Sequence, residues 1–153
     1  MVDMSDFNLE HFLPYLLNQA AEASSLAFQQ VYKDRYGMLR NEWRVLFHLG
    51  MYGRMTAREI AVKAQLHKTK ISRAVAKLEA RRFLTRTRDE ADRRVEHLDL
   101  TPAGRAAFRD LRQVAERYDQ ALVDDLSPDE AAHLRTLLTR LAHQRISEPL
   151  RRK

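Results

Sequence analysis

Thr56–Arg82 reads TAREIAVKAQLHKTKISRAVAKLEARR, two short amphipathic helices with almost nothing between them. Thr56-Ala57-Arg58-Glu59 has the form of a capping box, a Thr N-cap with Glu three residues on, and it opens a helix with Ile60, Ala61 and Ala64 inward. A connection around Gln65-Leu66 leads to a second helix from about His67 to Arg81, whose inward stripe is Ile71, Ala74, Val75 and Leu78. Such a pair, its second member rich in Lys and Arg, predicts a helix-turn-helix. The period then changes to two. Residues 83–88 and 95–100 read as paired strands, with Leu98 and Leu100 on one face and the polar tip Asp89–Arg94 between them, the pattern of a β-wing.

Working outward, Leu9, Phe12, Leu13, Leu16, Leu17, Ala20, Ala23, Ala27, Phe28 and Val31 recur at helical steps and predict one long helix over 8–35, ended by Gly37 and kinked at Pro14. A second helix spans about Asn41–Tyr52. Thr101-Pro102 restarts a helix that carries Ala103, Ala107, Leu111, Val114, Tyr118 and Leu122. Ser127-Pro128-Asp129-Glu130 caps a last one holding Leu134, Leu137, Leu138, Leu141 and Ile146, with Arg151-Arg152-Lys153 as a loose tail. The fold class is therefore mainly α with a small β-wing.

Composition narrows the function. The 153 residues suit one domain, and 44% hydrophobic content supplies a core. With no cysteine there are no disulfides, thiolate metal sites or thiol redox centres. The six histidines show no ligand spacing, and no P-loop, dinucleotide or nucleophile-elbow motif is present. The expectation is a cytoplasmic protein that is not an enzyme, with no cofactor, no metal and no membrane association. Net charge is +6, but it is uneven: thirteen basic and five acidic residues between Arg54 and Arg94 give that segment +8, and the rest carries −2. Such a local excess suits a polyanion, and nucleic acid is the commonest one.

With Ile71, Val75 and Leu78 inward, the second helix of the pair presents Thr69, Arg73, Ala76 and Ala80, flanked by Lys70, Ser72 and Lys77. Long donors backed by small residues suit a helix entering the major groove. Arg73 is the candidate base reader, for a guanine edge, and Thr69 meets a thymine methyl or a phosphate. Lys68, Lys70 and Lys77 are candidate phosphate contacts. At the wing, Asp92 is spaced to hold the Arg94 guanidinium, which would aim it into a narrow, A·T-rich minor groove or simply stiffen the turn. Thr56, Arg88 and Arg93 complete the candidate DNA-binding set.

Asp92-Arg93-Arg94-Val95-Glu96-His97-Leu98-Asp99-Leu100-Thr101-Pro102-Ala103-Gly104 resembles the D-x-R-x5-L-T-x-x-G signature of the MarR (multiple antibiotic resistance regulator) family of winged-helix regulators. Ser72-Arg73 and Leu78–Arg86 resemble that family's recognition-helix end, and Glu42-Trp43-Arg44-Val45-Leu46 resembles its Q-W-x-V-L second helix. The resemblance runs from about Asn8 to Gln144. It departs at Arg82, where the family usually has Gly, and at Leu39, where it commonly has a Thr N-cap. An Arg at position 82 must adopt an unfavourable backbone conformation, or the helix must end differently.

The resemblance implies an obligate homodimer on a pseudo-palindromic operator in double-stranded DNA. It gives Thr69, Ser72, Arg73 and Lys77 to the major groove and Arg94 to the minor. Residues 1–153 would form a single domain, with dimerisation helices over 8–35 and 102–147 around a winged helix-turn-helix lobe over 41–100. The excess apolar stripe of the terminal helices fits this. It also implies a small-molecule effector, an aromatic carboxylate, phenol or acyl thioester, between the dimer helices and the lobe. The candidate walls are His11, Phe12, Tyr15 and Asn18 on the first helix and Trp43, Arg44 and Phe47 on the second, although Phe12, Trp43 and Phe47 read more readily as core. The expected activity is a ligand-responsive repressor; the alternative is an effector-independent architectural nucleic-acid-binding protein.

Overall fold

The computed structural model describes residues 6–144; Ile146, the end of the expected 102–147 helical region and the basic tail lie outside the described residues. Two compact units divide within a helix, one running to Ala115 and the other from Glu116.

The first unit opens on a 3-10 turn, Leu9–His11, capped by the Asn8 side chain. Helix α1 (Leu13–Tyr36) follows. The helix expected from residue 8 therefore starts five residues later. Pro14 sits in its first turn, where its missing N–H is no loss, so it starts the helix and does not kink it. Gly37 ends α1 in the left-handed conformation (φ 63°), its N–H donating to the Lys33 carbonyl. Helix α2 (Arg40–Tyr52) begins at Leu39, which has no polar side chain to cap it; the buried Glu42 carboxylate instead accepts from the Leu39 N–H (3.0 Å).

Helix α3 (Ala57–Ala64) starts at the Thr56–Glu59 box, both halves of which form, and Gln65 (φ 54°) makes the tight turn to α4 (Lys68–Ala80). Val45, Leu46 and Leu49 of α2, Ile60 of α3 and Ile71, Val75 and Leu78 of α4 close into one core. Strands β2 (Leu84–Arg88) and β3 (Glu96–Leu100) pair in the expected antiparallel register, Leu84 opposite Leu100 and Arg88 opposite Glu96. A third strand, β1 (Met55–Thr56), pairs with the other edge of β3 and ties the start of α3 to the wing.

Arg82 takes the left-handed conformation (φ 62°), as expected of a residue standing where a Gly would be favoured. Its carbonyl accepts from Thr101 Oγ1 (2.7 Å), and the same hydroxyl oxygen caps α5 (Pro102–Leu122) by accepting from the Gly104 N–H (3.0 Å). Gly104 belongs here because any Cβ would collide with the Phe83 carbonyl oxygen. Ala103, expected inward, is exposed, and Gly104, Ala107, Phe108 and Leu111 are buried instead.

In the second unit the Ser127–Glu130 box opens α6 (Pro128–Ala142) as expected. Arg135 grips Asp119 (2.8 Å). Leu122, Leu134, Leu137, Leu138 and Leu141 are all exposed, and α6 has no buried residue. In the first unit Leu9, Phe12, Leu13, Leu16 and Leu17 are exposed in the same way.

Candidate nucleic-acid interface

With its inner stripe committed to the core, α4 has no freedom over which face it shows. Lys68, Thr69, Lys70, Ser72, Arg73 and Lys77 are all exposed, and none of their side chains makes a hydrogen bond or ion pair among the described residues. The His67 imidazole caps the helix by accepting from the Thr69 N–H (3.2 Å). Lys70, Arg73 and Lys77 line a shallow cleft of about 240 Å³ together with Leu39, Asn41 and Glu42 of the α2 start. Asn41 is an addition to the sequence-derived set. Its position in the first turn of a helix without a polar N-cap is the signal that points to it. Thr56 already caps α3 by accepting from the Glu59 N–H (3.1 Å), which leaves its hydroxyl proton for an acceptor outside the chain.

At the wing tip the expected pair forms. Asp92 Oδ1 accepts from both the backbone N–H (3.1 Å) and the Nε (3.2 Å) of Arg94, whose side chain is still 92% exposed. The arginine is oriented without being covered. Arg88 and Arg93 are exposed beside it with no partner among the described residues. The tip is organised by Asp89, which accepts from the N–H groups of Ala91 (3.0 Å) and Asp92 (2.8 Å) and from His97 Nε2 (3.0 Å). These bonds, that of His97 foremost, hold the Asp89 carboxyl below the usual carboxylate range.

Three other cations of the basic segment are structural. Arg54 pairs with Asp99 (3.0 Å), and Arg86 with Glu79 (3.0 Å) and Glu96 (3.6 Å). Arg81 donates to the Tyr36 carbonyl (2.6 Å), pinning the end of α4 to the end of α1. The Tyr36 hydroxyl donates to Asp110 (2.5 Å), which also accepts from Arg35 (2.9 Å). Burial, then the Asp110 bond, push the Tyr36 phenol up to about 12. A larger open groove, about 640 Å³, lies along α3 between Tyr52, Met55, Arg58, Val62 and Lys63, and none of its walls belongs to α4 or the wing tip.

The structure does not unite the two expected effector walls within one chain. Trp43 packs on Phe28, Tyr32 and Phe47, with ring centroids 5.4, 6.0 and 5.2 Å away. Tyr15 precedes Phe28 by thirteen residues, a distance of about 20 Å along α1 at roughly 1.5 Å per residue. His11 and Asn18 are exposed, Phe12 is 44% exposed, and Tyr15 is half-buried. Arg44 is half-buried with no hydrogen bond or ion pair for its guanidinium among the described residues, and burial followed by the neighbouring Arg40 lowers its pKa. The buried Tyr32 hydroxyl beside it makes no hydrogen bond of full geometry, with Trp43 and Arg40 as its nearest polar neighbours, and burial raises its pKa.

The sequence model of the MarR family matches residues 36–95, from the end of α1 to the wing tip. The MarR-family transcriptional regulator SPO1453 of Silicibacter pomeroyi is 31% identical across 89% of this chain and 99% of that one, with a TM-score of 0.75. The fold is shared with Bordetella bronchiseptica BpsR, whose DNA binding is regulated by 6-hydroxynicotinic acid (24% identity, 91% and 99% of the two chains, TM-score 0.83). It is shared too with S. aureus MepR, solved as a DNA complex (21% identity, 84% and 95%, TM-score 0.76). With its helix-turn-helix, its three-stranded wing and a relative of this identity over nearly its whole length, the chain belongs to the MarR family of winged-helix transcriptional regulators.

Proposed function

We propose that this protein is a homodimeric repressor that binds a pseudo-palindromic duplex operator and is released by a small aromatic acid or its thioester. The observation that carries the DNA reading is the segregation of cations: those of α4 and the wing tip are exposed and unpaired or pre-aimed, while Arg54, Arg81 and Arg86 are spent on the fold. In this reading α4 enters the major groove with Arg73 on a base edge, Thr69 and Ser72 beside it, and Lys68, Lys70, Lys77 and Thr56 on phosphates. Arg94 enters the minor groove, flanked by Arg88 and Arg93.

Two-fold symmetry is supported by the uncovered leucines of α6 and the start of α1, which a second copy would bury across the expected dimerisation regions 8–35 and 102–147. Each lobe would then serve one half-site. A regulator prefers its palindrome by at least about a thousandfold over random duplex at fixed salt, whereas an architectural protein does not. Selection of binding sites from a random-sequence library, followed by competition against scrambled duplex, separates the two.

The effector reading rests on Arg44 and Tyr32. A half-buried guanidinium with no ion pair among the described residues, next to the neighbouring Arg40 charge and the buried Tyr32 hydroxyl, would be completed by an anionic acceptor. His11, Tyr15 and Asn18 would complete the site from the second copy, since in one chain they lie too far along α1. Tyr36 offers the route to DNA, because it joins α5 through Asp110 and the end of α4 through Arg81. Half-sites one turn apart need recognition helices about 34 Å apart, so a shift of a few ångströms misregisters one. A hundredfold release requires about 2.7 kcal/mol of differential affinity, and operator must weaken the effector by the same factor. A panel of hydroxybenzoic and pyridine carboxylic acids, titrated calorimetrically with and without operator, tests this. Equal affinity in both titrations removes the coupling, and unchanged affinity in Arg44→Ala removes the residue.

A further inference from the structure

The wing carries a hydrogen-bonded chain longer than the Asp92–Arg94 pair. His97 lies on the middle strand, between Thr56 of β1 and Thr87 of β2, so its cross-strand neighbours are uncharged. Its Nε2 reaches back eight residues to Asp89 Oδ1 (3.0 Å). To donate to a carboxylate that nitrogen must carry the proton, and the pair is close enough to be an ion pair when the ring is protonated. The other Asp89 oxygen gathers the N–H groups of Ala91 and Asp92, and the Asp89 N–H donates to the Val95 carbonyl (2.9 Å). The Val95 N–H closes the tip onto the Asp92 carbonyl (3.0 Å). The Asp92 carboxylate then holds Arg94. Each link fixes the next. His97 sits on a rigid strand, Asp89 at the strand's end, and the loop beyond would otherwise be free to move.

We propose that His97 is a positioning residue for DNA binding: through Asp89 it sets the wing-tip turn that aims Arg94. The inference rests on reading Arg94 as a DNA contact. His97 touches no DNA in this arrangement. Its contribution is the ordering that Arg94 would otherwise have to undergo on binding, a cost of order one immobilised side chain in each protomer.

The test is a double-mutant cycle on full-length protein with a duplex selected from a random-sequence library. His97→Leu lowers affinity roughly five- to a hundredfold, one side chain being ordered in each of two protomers. His97→Gln, whose amide can donate from a similar reach, restores affinity to within about twofold. In an Arg94→Ala background His97→Leu costs nothing further. Hydroxyl-radical protection at the minor groove under the wing weakens in His97→Leu, while guanine-N7 protection in the major groove stays. Should His97→Leu fail to fold, Asp89→Ala removes the acceptor that His97 and the tip share and enters the cycle in its place. Losses that add fully in the double variant overturn the proposal, as does uniform loss of protection in both grooves. If Arg94→Ala alone leaves operator affinity unchanged, the DNA role of Arg94 fails and the relay with it. A harmful Arg94→Ala with additive losses overturns the relay alone.

Discussion

Replacing Arg73 by Ala separates reading from mere attraction. Arg73 is exposed on α4, lines the cleft with Lys70 and Lys77, and has no hydrogen bond or ion pair among the described residues. Its removal therefore leaves folding within about 0.5 kcal/mol of wild type. A bidentate contact to guanine discriminates by about 1–3 kcal/mol, so two copies on a palindrome lose roughly 2–6 kcal/mol. That is about thirtyfold to four orders of magnitude in affinity for the operator. Random duplex, bound through phosphates, loses only the Coulomb share of one cation per protomer. Lys70→Ala is the internal control: it weakens both duplexes alike and flattens the salt slope by about 0.9 for each phosphate no longer neutralised. Fluorescence anisotropy on operator and scrambled duplex across a salt series, with thermal unfolding run alongside, measures all of this. If Arg73→Ala weakens the two duplexes equally while the protein remains folded, Arg73 does not read a base.

Arg82→Gly removes a side chain from a left-handed backbone position (φ 62°) without touching the carbonyl that Thr101 uses. Relief of about 1 kcal/mol should raise the melting temperature by roughly 2–4 °C, and an unchanged or lower midpoint would contradict the strain argument. Tyr36→Phe breaks the bond to Asp110. Burial first and this bond second raise the phenol to about 12, so the protonated side chain stabilises fully below about pH 10 and that contribution is lost as pH climbs through 12. Urea midpoints between about pH 9 and 11 should therefore fall more steeply in wild type than in the variant; parallel declines would refute it. Leu137→Glu places a charge on the uncovered α6 face, and burial of each such Leu is worth about 1.5–3 kcal/mol, counted twice across a two-fold axis. Sedimentation should find monomer where wild type is dimer, and an intact dimer would move the interface elsewhere.

Much of this fold is legible because its signals are local. Thr56 with Glu59, Ser127 with Glu130 and Thr101 with Pro102 mark helix starts within four residues, and each forms as read. The inward stripe of α4 follows from period alone, and with it the outward set, since a helix that buries Ile71 and Val75 must expose Arg73. What escapes such reading depends on partners far along the chain. β1 is two residues long, too short to carry a pattern, and exists because β3 has a free edge. Arg81 meets the Tyr36 carbonyl across 45 residues, and Arg35 meets Asp110 across 75. Aromatic character alone groups Trp43 with Tyr15, yet Trp43 faces α1 at Phe28 and Tyr32. Periodicity locates a helix face but not the level along a long partner helix at which it packs.

The same distinction governs the charge. A net +8 between Arg54 and Arg94 suggests a uniformly attractive surface, but the residues divide by what is within reach. Three arginines find acceptors and fix the frame: Arg54 joins the turn before β1 to β3, Arg81 joins α4 to α1, and Arg86 joins β2 to α4 and β3. The α4 cations find none among the described residues, because the acidic residue of that helix, Glu79, lies three or four positions from no Lys or Arg of α4 and pairs with Arg86. Glu79 lies off the outward face and holds the strand through Arg86, and the wing that Arg86 holds is the wing that carries Arg94. Paired and unpaired cations are thus parts of one arrangement, in which the first set determines where the second set points, and a count of charges alone would miss both roles.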